Sequence, residues 1–344
     1  MELPVHIAGA LPRAAVISVD GAWGAPGLNL SHWPGHRTPR ELRHDLSTGS
    51  ALAFARLAPE ARCALARGAS CIVNNHFDTD GTCALFAVRH PALALELERE
   101  LLDAARCGDL FAWPSERAFQ VDCIVAAFGD DVRSPLASEF AGLDDEGRWT
   151  RATLRLHELM PQLLRADLGP FEALWGAQLA RAREDRADLA LCRRDDLAHL
   201  DWSVFSGRAG LFRAGGGPGR HALFGASELD RVLVALACDG GTLYRFVINT
   251  TSWFDLVTRT ALPRPSLSTL ARRLNELEGS DPAGECAWRA QESASPSPEL
   301  WFGGAEHPRF AEHCAALRPS RLALAEVRRE LAEAQRSALA LPES

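Results

Sequence analysis

At 344 residues, 47% hydrophobic and 24% charged, the chain is long enough to bury two cores without disulfide or metal staples. All 37 basic residues are Arg, which excludes a catalytic Lys, a Schiff base and a Walker Lys, and the net charge of −8 weighs against sequence-independent nucleic-acid binding. Nine Cys without a single CxxC pair, no basic leader and no run of ~20 apolar residues point to a reducing, cytoplasmic setting and no membrane span.

In chain order, residues 14–20 read as a buried strand ending in Asp20, followed by a Gly-rich turn to Gly27. A second short strand over 28–31 ends at His32. Thr38-Pro39-Arg40-Glu41 has the form of a helix N-cap with Pro at the first position, and residues 45–56 continue that helix or start another. Residues 71–75 form a third apolar run. It ends in His76, Asp78 and Asp80, and after Gly81 the spacing predicts a helix through about Val88. Residues 91–106 predict another helix, which Cys107, Gly108 and Asp109 close. Alternating short strands and helices predict a parallel α/β sheet with ligands at the carboxyl ends of its strands.

Residues 142–148 are polar and read as a linker, which divides the chain into an α/β domain over 1–145, a helical connector over 146–200 and a smaller C-terminal α/β domain over 201–344. In the connector Trp175 and Leu179 read as core contacts and His157 as a helix-surface residue. In the last part 222–224, 231–236 and 244–249 are strand candidates, although Ser227-Glu228 could open a helix instead of the second. Residues 267–277 and 320–339 are amphipathic helices, with a hairpin around Ala287 to Ala290 between them.

The first domain therefore offers Asp20, His32, His76, Asp78, Asp80 and Asp109 at or near strand ends. Two hard cations ~3.5–4 Å apart need a bridging carboxylate and a few terminal Asp and His ligands, which is this inventory, and oxygen-rich ligation with two imidazoles suits Mn²⁺ or Mg²⁺. The alternative for Asp78 and Asp80 is plain capping of the next helix, but a cap needs one carboxylate and does not need His76. Trp253 to Arg259 could form a substrate platform with Arg245 and Arg259 as anion clamps, or an aromatic strand edge buried between domains. Gly215, Gly216 and Gly217 could cradle an anion or form a flexible loop.

His76-Phe77-Asp78-Thr79-Asp80-Gly81, after an apolar strand and before a small-residue helix, resembles the first motif of the DHH-type phosphoesterases. Those enzymes include phosphodiesterases, exonucleases and a family of inorganic pyrophosphatases. Val19-Asp20 resembles the second motif, Leu30-Ser31-His32-Trp33-Pro34 followed by Asp45-Leu46-Ser47-Thr48-Gly49-Ser50-Ala51 the third, and Cys107-Gly108-Asp109-Leu110-Phe111 the fourth. The second and third precede the first here, so the resemblance implies a circularly permuted DHH-like domain. The Asp-His-His triplet reads Ser31-His32-Trp33, and His36 or Arg40 would replace the missing phosphate-holding His. Tyr244 to Val247 and residues 264–274 resemble the strand and helix of the substrate-binding domain attached to those enzymes, without its Gly-Gly-Gly-His loop. Across most of its length the chain is also similar to a bacterial family of unknown function.

The reading that follows is a two-domain metal-dependent phosphoesterase acting on a small anionic, phosphorylated or nucleotide-like substrate through a two-metal-activated water. Asp78, Asp80 and His32 are its expected catalytic residues, the six carboxylates and imidazoles its metal ligands, and His36, Arg40, Arg245 and Arg259 its substrate contacts. Two rivals are a single Fe²⁺ held by two His and one carboxylate in a biosynthetic enzyme, and a non-catalytic metal-binding or interaction module.

Overall fold

Val16–Val19 and Ile72–Asn74 are apolar runs buried along their whole length, and Gly27–Leu30 is buried after its first residue, the pattern of parallel strands covered on both faces. With Val5–Ile7 they form a four-stranded parallel sheet. Numbered in chain order, β1 is Val5–Ile7, β2 Val16–Val19, β3 Gly27–Leu30 and β4 Ile72–Asn74, and the spatial order is β1-β4-β2-β3. The computed structural model describes residues 3–10, 12–22, 24–211, 218–304 and 317–340 and divides them into two compact units.

Unit 1 comprises residues 1–180 together with Phe254–Arg259. Its helices are α1 (Ser47–Ala55), α2 (Pro59–Leu65), α3 (Thr79–Arg89), α4 (Pro91–Glu96), α5 (Glu98–Leu110), α6 (Glu116–Gly129), α7 (Asp145–Arg165) and the amino-terminal half of α8 (Glu172–Ala190). Leu52 and Phe54 of α1 and Leu85 and Phe86 of α3 pack with Ile17, Leu30 and Ile72 of the sheet. The expected linker at 142–148 is instead the start of α7, with Asp144 as N-cap accepting from the Gly147 N–H. Leu156, Met160 and Leu163 of α7 join the same core, and Thr150 accepts the Ile7 N–H of edge strand β1. The chain therefore passes between units at Ala180/Arg181, not near residues 145 and 200. Leu179 is buried and Trp175 packs against the unit 1 core, as their positions suggested.

Unit 2 comprises residues 181–253 and 260–344. Its strands β5 (Arg193–Leu197), β6 (Trp202–Arg208), β7 (Arg231–Cys238), β8 (Gly241–Ile248), β9 (Ala287–Ala290) and β10 (Glu299–Gly303) form a mixed sheet ordered β5-β6-β7-β8-β10-β9, parallel only between β6 and β7. Helices α9 (Arg220–Ala226), α10 (Leu267–Glu278) and α11 (Leu324–Ala340) accompany it, and Leu270, Leu274, Val327 and Leu331 cover Tyr244, Phe246 and Leu300. The protein is thus α/β throughout, with a parallel and a mixed sheet flanked by helices. Residues 222–224, expected as a strand, lie in α9, since three consecutive buried apolar residues fit either element. Arg-Asp-rich β5 escapes the strand pattern because it is an edge strand whose charges face water. Thr38-Pro39 does not open a regular helix: the Thr38 hydroxyl accepts the Ser31 N–H and donates to the Ser31 carbonyl, leaving only a short 3-10 turn at Arg40–Leu42. No helix among the described residues is long and apolar enough to cross a membrane.

Candidate metal centre

Because β2, β3 and β4 run parallel, their carboxyl ends open on one edge of the sheet, and each is followed at once by an ionisable residue: Asp20 after β2, His32 after β3, His76 and Asp78 after β4. Asp80 follows in the first turn of α3, which Asp78 caps by accepting the Gly81 N–H. Asp20 has φ +50°, a left-handed conformation that Asp tolerates better than most residues and that turns the chain sharply at the end of β2. The following Gly21 is fixed by close approach: a Cβ there would lie 2.3 Å from Asn75 Oδ1 and 2.8 Å from His76 Nδ1.

Two groups of ligand atoms result, each with its members within 4.8 Å of one another: Asp20, His32, Asp80 and Asp109 form the inner group, and Asp20, His76 and Asp78 the outer. Asp20 belongs to both. His32 Nε2 lies 3.0 Å from Asp109 Oδ2 and 3.6 Å from both Asp20 Oδ1 and Asp80 Oδ2. It is nevertheless buried without a properly aligned hydrogen bond, as is Asp20 Oδ2. On the other side of the ring Nδ1 lies 2.6 Å from the Asp45 carbonyl, which can only accept, so Nδ1 carries a proton and Nε2 is the ring atom that faces the carboxylates. His76 repeats the pattern, with Nδ1 at 2.9 Å from Asn75 Oδ1 and Nε2 at 2.9 Å from Asp78 and 3.1 Å from Asp20.

The supports are specific. Asp80 accepts the backbone N–H groups of Ser47 at 2.7 Å and Thr48 at 2.8 Å, so the amino end of α1 faces the carboxylate. Asp20 Oδ1 accepts from the Ser47 hydroxyl at 3.0 Å and from Trp33 Nε1 at 2.8 Å. Asp109 reaches the centre from the last turn of α5, an end where the helix dipole disfavours a carboxylate, and is therefore placed at a cost to the helix. Asp20, His32 and Asp80 are wholly buried, whereas the His76 and Asp78 side chains are 31% and 33% exposed.

Crowding and burial favour the protonated forms of two of these carboxyls, Asp80 and Asp109. Burial raises Asp80 to about 6, and burial together with the Asp80 and Asp78 charges pushes Asp109 well above the usual range. Burial disfavours the charged forms of His32 and His76, but the surrounding carboxylates outweigh it and raise both. Burial would raise Asp20 as well, yet the two imidazoles hold it low. Protons thus balance the charge that a divalent cation would balance better. The donor set of oxygens with one imidazole per group fits a hard cation at each position, and neither group holds two imidazoles.

All six sequence-derived ligand candidates therefore meet. His32 and Asp80 are sealed from solvent, whereas Asp78, the third expected catalytic residue, faces outward. His36 and Arg40 line a cleft of about 340 Å³ together with Arg43, Asp255, Leu256 and Val257. Arg245 does not serve as an anion clamp: it is buried in unit 2 and gives Nε and Nη2 to Glu299 at 2.8 and 2.9 Å. Burial raises Glu299, but Arg245 and Arg220 prevail and hold it at about 2. Arg259 ends the Phe254–Arg259 segment of unit 1 and is half-buried. His157 is no surface residue; it is buried, with Nε2 3.1 Å from the Thr82 carbonyl, and burial lowers its pKa to about 3. Gly215, Gly216 and Gly217 lie outside the described residues.

Sequence reasoning missed Arg43, and it placed Asp45 only in the run that follows the third motif and Phe254 only in a candidate platform, without the contacts either makes to His32. The one signal available was the run Ser47-Thr48-Gly49-Ser50, whose small residues let the end of α1 approach Asp80. Among known proteins, no curated protein and no solved structure matches the chain. The profile of a family described as "Family of unknown function (DUF6687)" matches residues 6–344, and the protein belongs to that family.

Proposed function

We propose that the protein is a metal-dependent hydrolase of a small phosphorylated or nucleotide-like molecule, using two divalent cations, Mn²⁺ or Mg²⁺, that share Asp20. The observation that carries this reading is the pair of buried, unaligned ligand atoms, His32 Nε2 and Asp20 Oδ2, at the meeting point of four carboxylates. An ordinary ion-pair network would align its hydrogen bonds; a cation needs lone pairs converging on one point instead. Ligands from three successive strand ends and a fourth carboxylate support a DHH-like arrangement in permuted chain order.

Cations bound there supply Lewis acidity and a water of lowered pKa. The protein's own residues do the rest. Asp80 is held by two amides and Asp20 by Trp33 and Ser47, so the inner carboxylates stay in place when charge is added or removed. Asp78 and His76 leave the outer position open to solvent, which is where a substrate and a water can enter. In the adjoining cleft His36 Nδ1 accepts the Thr38 N–H at 3.2 Å, which puts its proton on Nε2 as a donor. Burial, and Arg43 beside it, lower the His36 pKa and keep the ring neutral, while Arg40 and Arg43 supply positive charge for an anionic group. Asp255, the one carboxylate of the cleft, already accepts the Gly35 N–H.

The test is a Mn²⁺- and Mg²⁺-supplemented screen against phosphomonoesters, phosphodiesters, pyrophosphate and nucleotides, run beside Asp78→Asn. Hydrolysis by the wild type that is lost in Asp78→Asn while the fold remains supports the proposal. Two bound cations with no turnover on any class would move the protein to the non-catalytic reading, and one Fe²⁺ per chain to the oxidative one.

A further inference from the structure

Residues Phe254–Arg259 are flanked in sequence by unit 2 but pack within unit 1, and they do so on the inner ligand His32. The Phe254 ring stacks on the His32 imidazole with centroids 3.8 Å apart and planes 16° from parallel. The Asp255 N–H donates to the His32 carbonyl at 2.8 Å. Asp45 completes the arrangement from both of its ends. Its carbonyl takes the Nδ1 proton of His32, while its carboxylate accepts the Val257 N–H at 2.6 Å, the Thr258 N–H at 2.9 Å and the Thr258 hydroxyl. Burial raises the Asp45 carboxyl, but these hydrogen bonds outweigh it and keep it ionised.

A residue whose main chain orients a ligand and whose side chain holds the segment stacked on that ligand ties the two together. We infer that Asp45 and Phe254 are positioning residues through which seating of the 254–259 strap and filling of the inner site are coupled. The inference rests on the metal reading above and adds to it. An ion at Asp20, His32, Asp80 and Asp109 fixes the imidazole, which gives Phe254 a fixed face to stack on and Asp45 a fixed carbonyl position. By linkage, a seated strap must then favour the ion by the same factor. The outer position at His76 and Asp78 makes none of these contacts. The coupling is therefore selective for one of two sites that share a ligand.

The experiment is hydrogen–deuterium exchange on the full-length wild type with and without Mn²⁺, joined to Mn²⁺ titrations of Asp45→Ala, Asp45→Asn and Phe254→Leu. Mn²⁺ is expected to slow exchange at the Asp255, Val257 and Thr258 amides about tenfold, within the usual range of coupling between sites. Asp45→Ala should weaken the inner ion by about the same factor and leave the outer unchanged. Asp45→Asn, whose side-chain oxygen still accepts from both amides, should recover most of the loss, which a general packing defect would not allow. Mn²⁺ binding by the wild type with unchanged strap exchange overturns the coupling alone, as does equal weakening of both ions in Asp45→Ala. A wild type that binds no Mn²⁺ overturns the metal reading and the coupling with it.

Discussion

The two halves of the centre share Asp20 and differ in nearly everything else. The inner half takes ligands from two strand ends and two helices, is sealed by side chains and is reinforced by the end of α1, the Asp45 carbonyl and a stacked Phe254. The outer half is built from four consecutive positions after β4, with His76 and Asp78 about one-third exposed. Closed ligation is the mark of a site that holds an ion, and open ligation that of a site where chemistry can occur. On the proposed metal reading, retention falls to the inner position and reactivity to the outer, with Asp20 a ligand common to both.

Asp20→Asn makes the largest break in that comparison, because it removes a ligand from both halves: both ions and all hydrolysis should be lost in metal analysis and turnover assays. Asp78→Asn and Asp109→Asn split it. Asn keeps the α3 cap at position 78, so Asp78→Asn should retain the inner ion, lose the outer one and lose turnover; Asp109→Asn should lose the inner ion first in a Mn²⁺ titration. Trp33→Phe removes only the indole hydrogen bond to Asp20 and should weaken both ions by ~10–100-fold, the usual cost of a lost supporting contact. Gly21→Ala should act chiefly on the outer half, by about tenfold, since its Cβ meets Asn75 and the outer ligand His76.

Acid separates stability from occupancy. His157 has its folded pKa depressed from 6.5 to about 3, so its neutral form stabilises unit 1 fully above pH 6.5, and that contribution falls away as pH drops toward 3. At pH 5 the loss is about 2 kcal/mol. His157→Gln should flatten that part of the pH–stability curve measured by denaturant unfolding without changing the ratio of inner to outer affinity.

Much of this was legible in the sequence because strand ends carry their own punctuation. The apolar runs of β2, β3 and β4 each lead within two residues to an Asp or His, and Asp78-Thr79-Asp80-Gly81 shows both the cap and the turn into α3. What escaped depends on contacts between distant parts of the chain. Asp45 and Val257 are 212 positions apart, and nothing local to Trp253-Phe254-Asp255 distinguishes a segment stacked on His32 from a substrate platform. Thr38 carries a helix-cap sequence, yet its hydroxyl is consumed by Ser31 across a turn. His157 lies on a charged helix, and only the packing of α7 against α3 buries it. Arg245 looked like an anion clamp because Glu299, its partner, sits 54 positions later on a neighbouring strand.

The most direct test of the shared centre is anomalous scattering at the manganese edge from crystals of the full chain grown with Mn²⁺. The account predicts two peaks per chain, one among Asp20, His32, Asp80 and Asp109 and the other among Asp20, His76 and Asp78. A single peak, or peaks that do not touch Asp20, would contradict it.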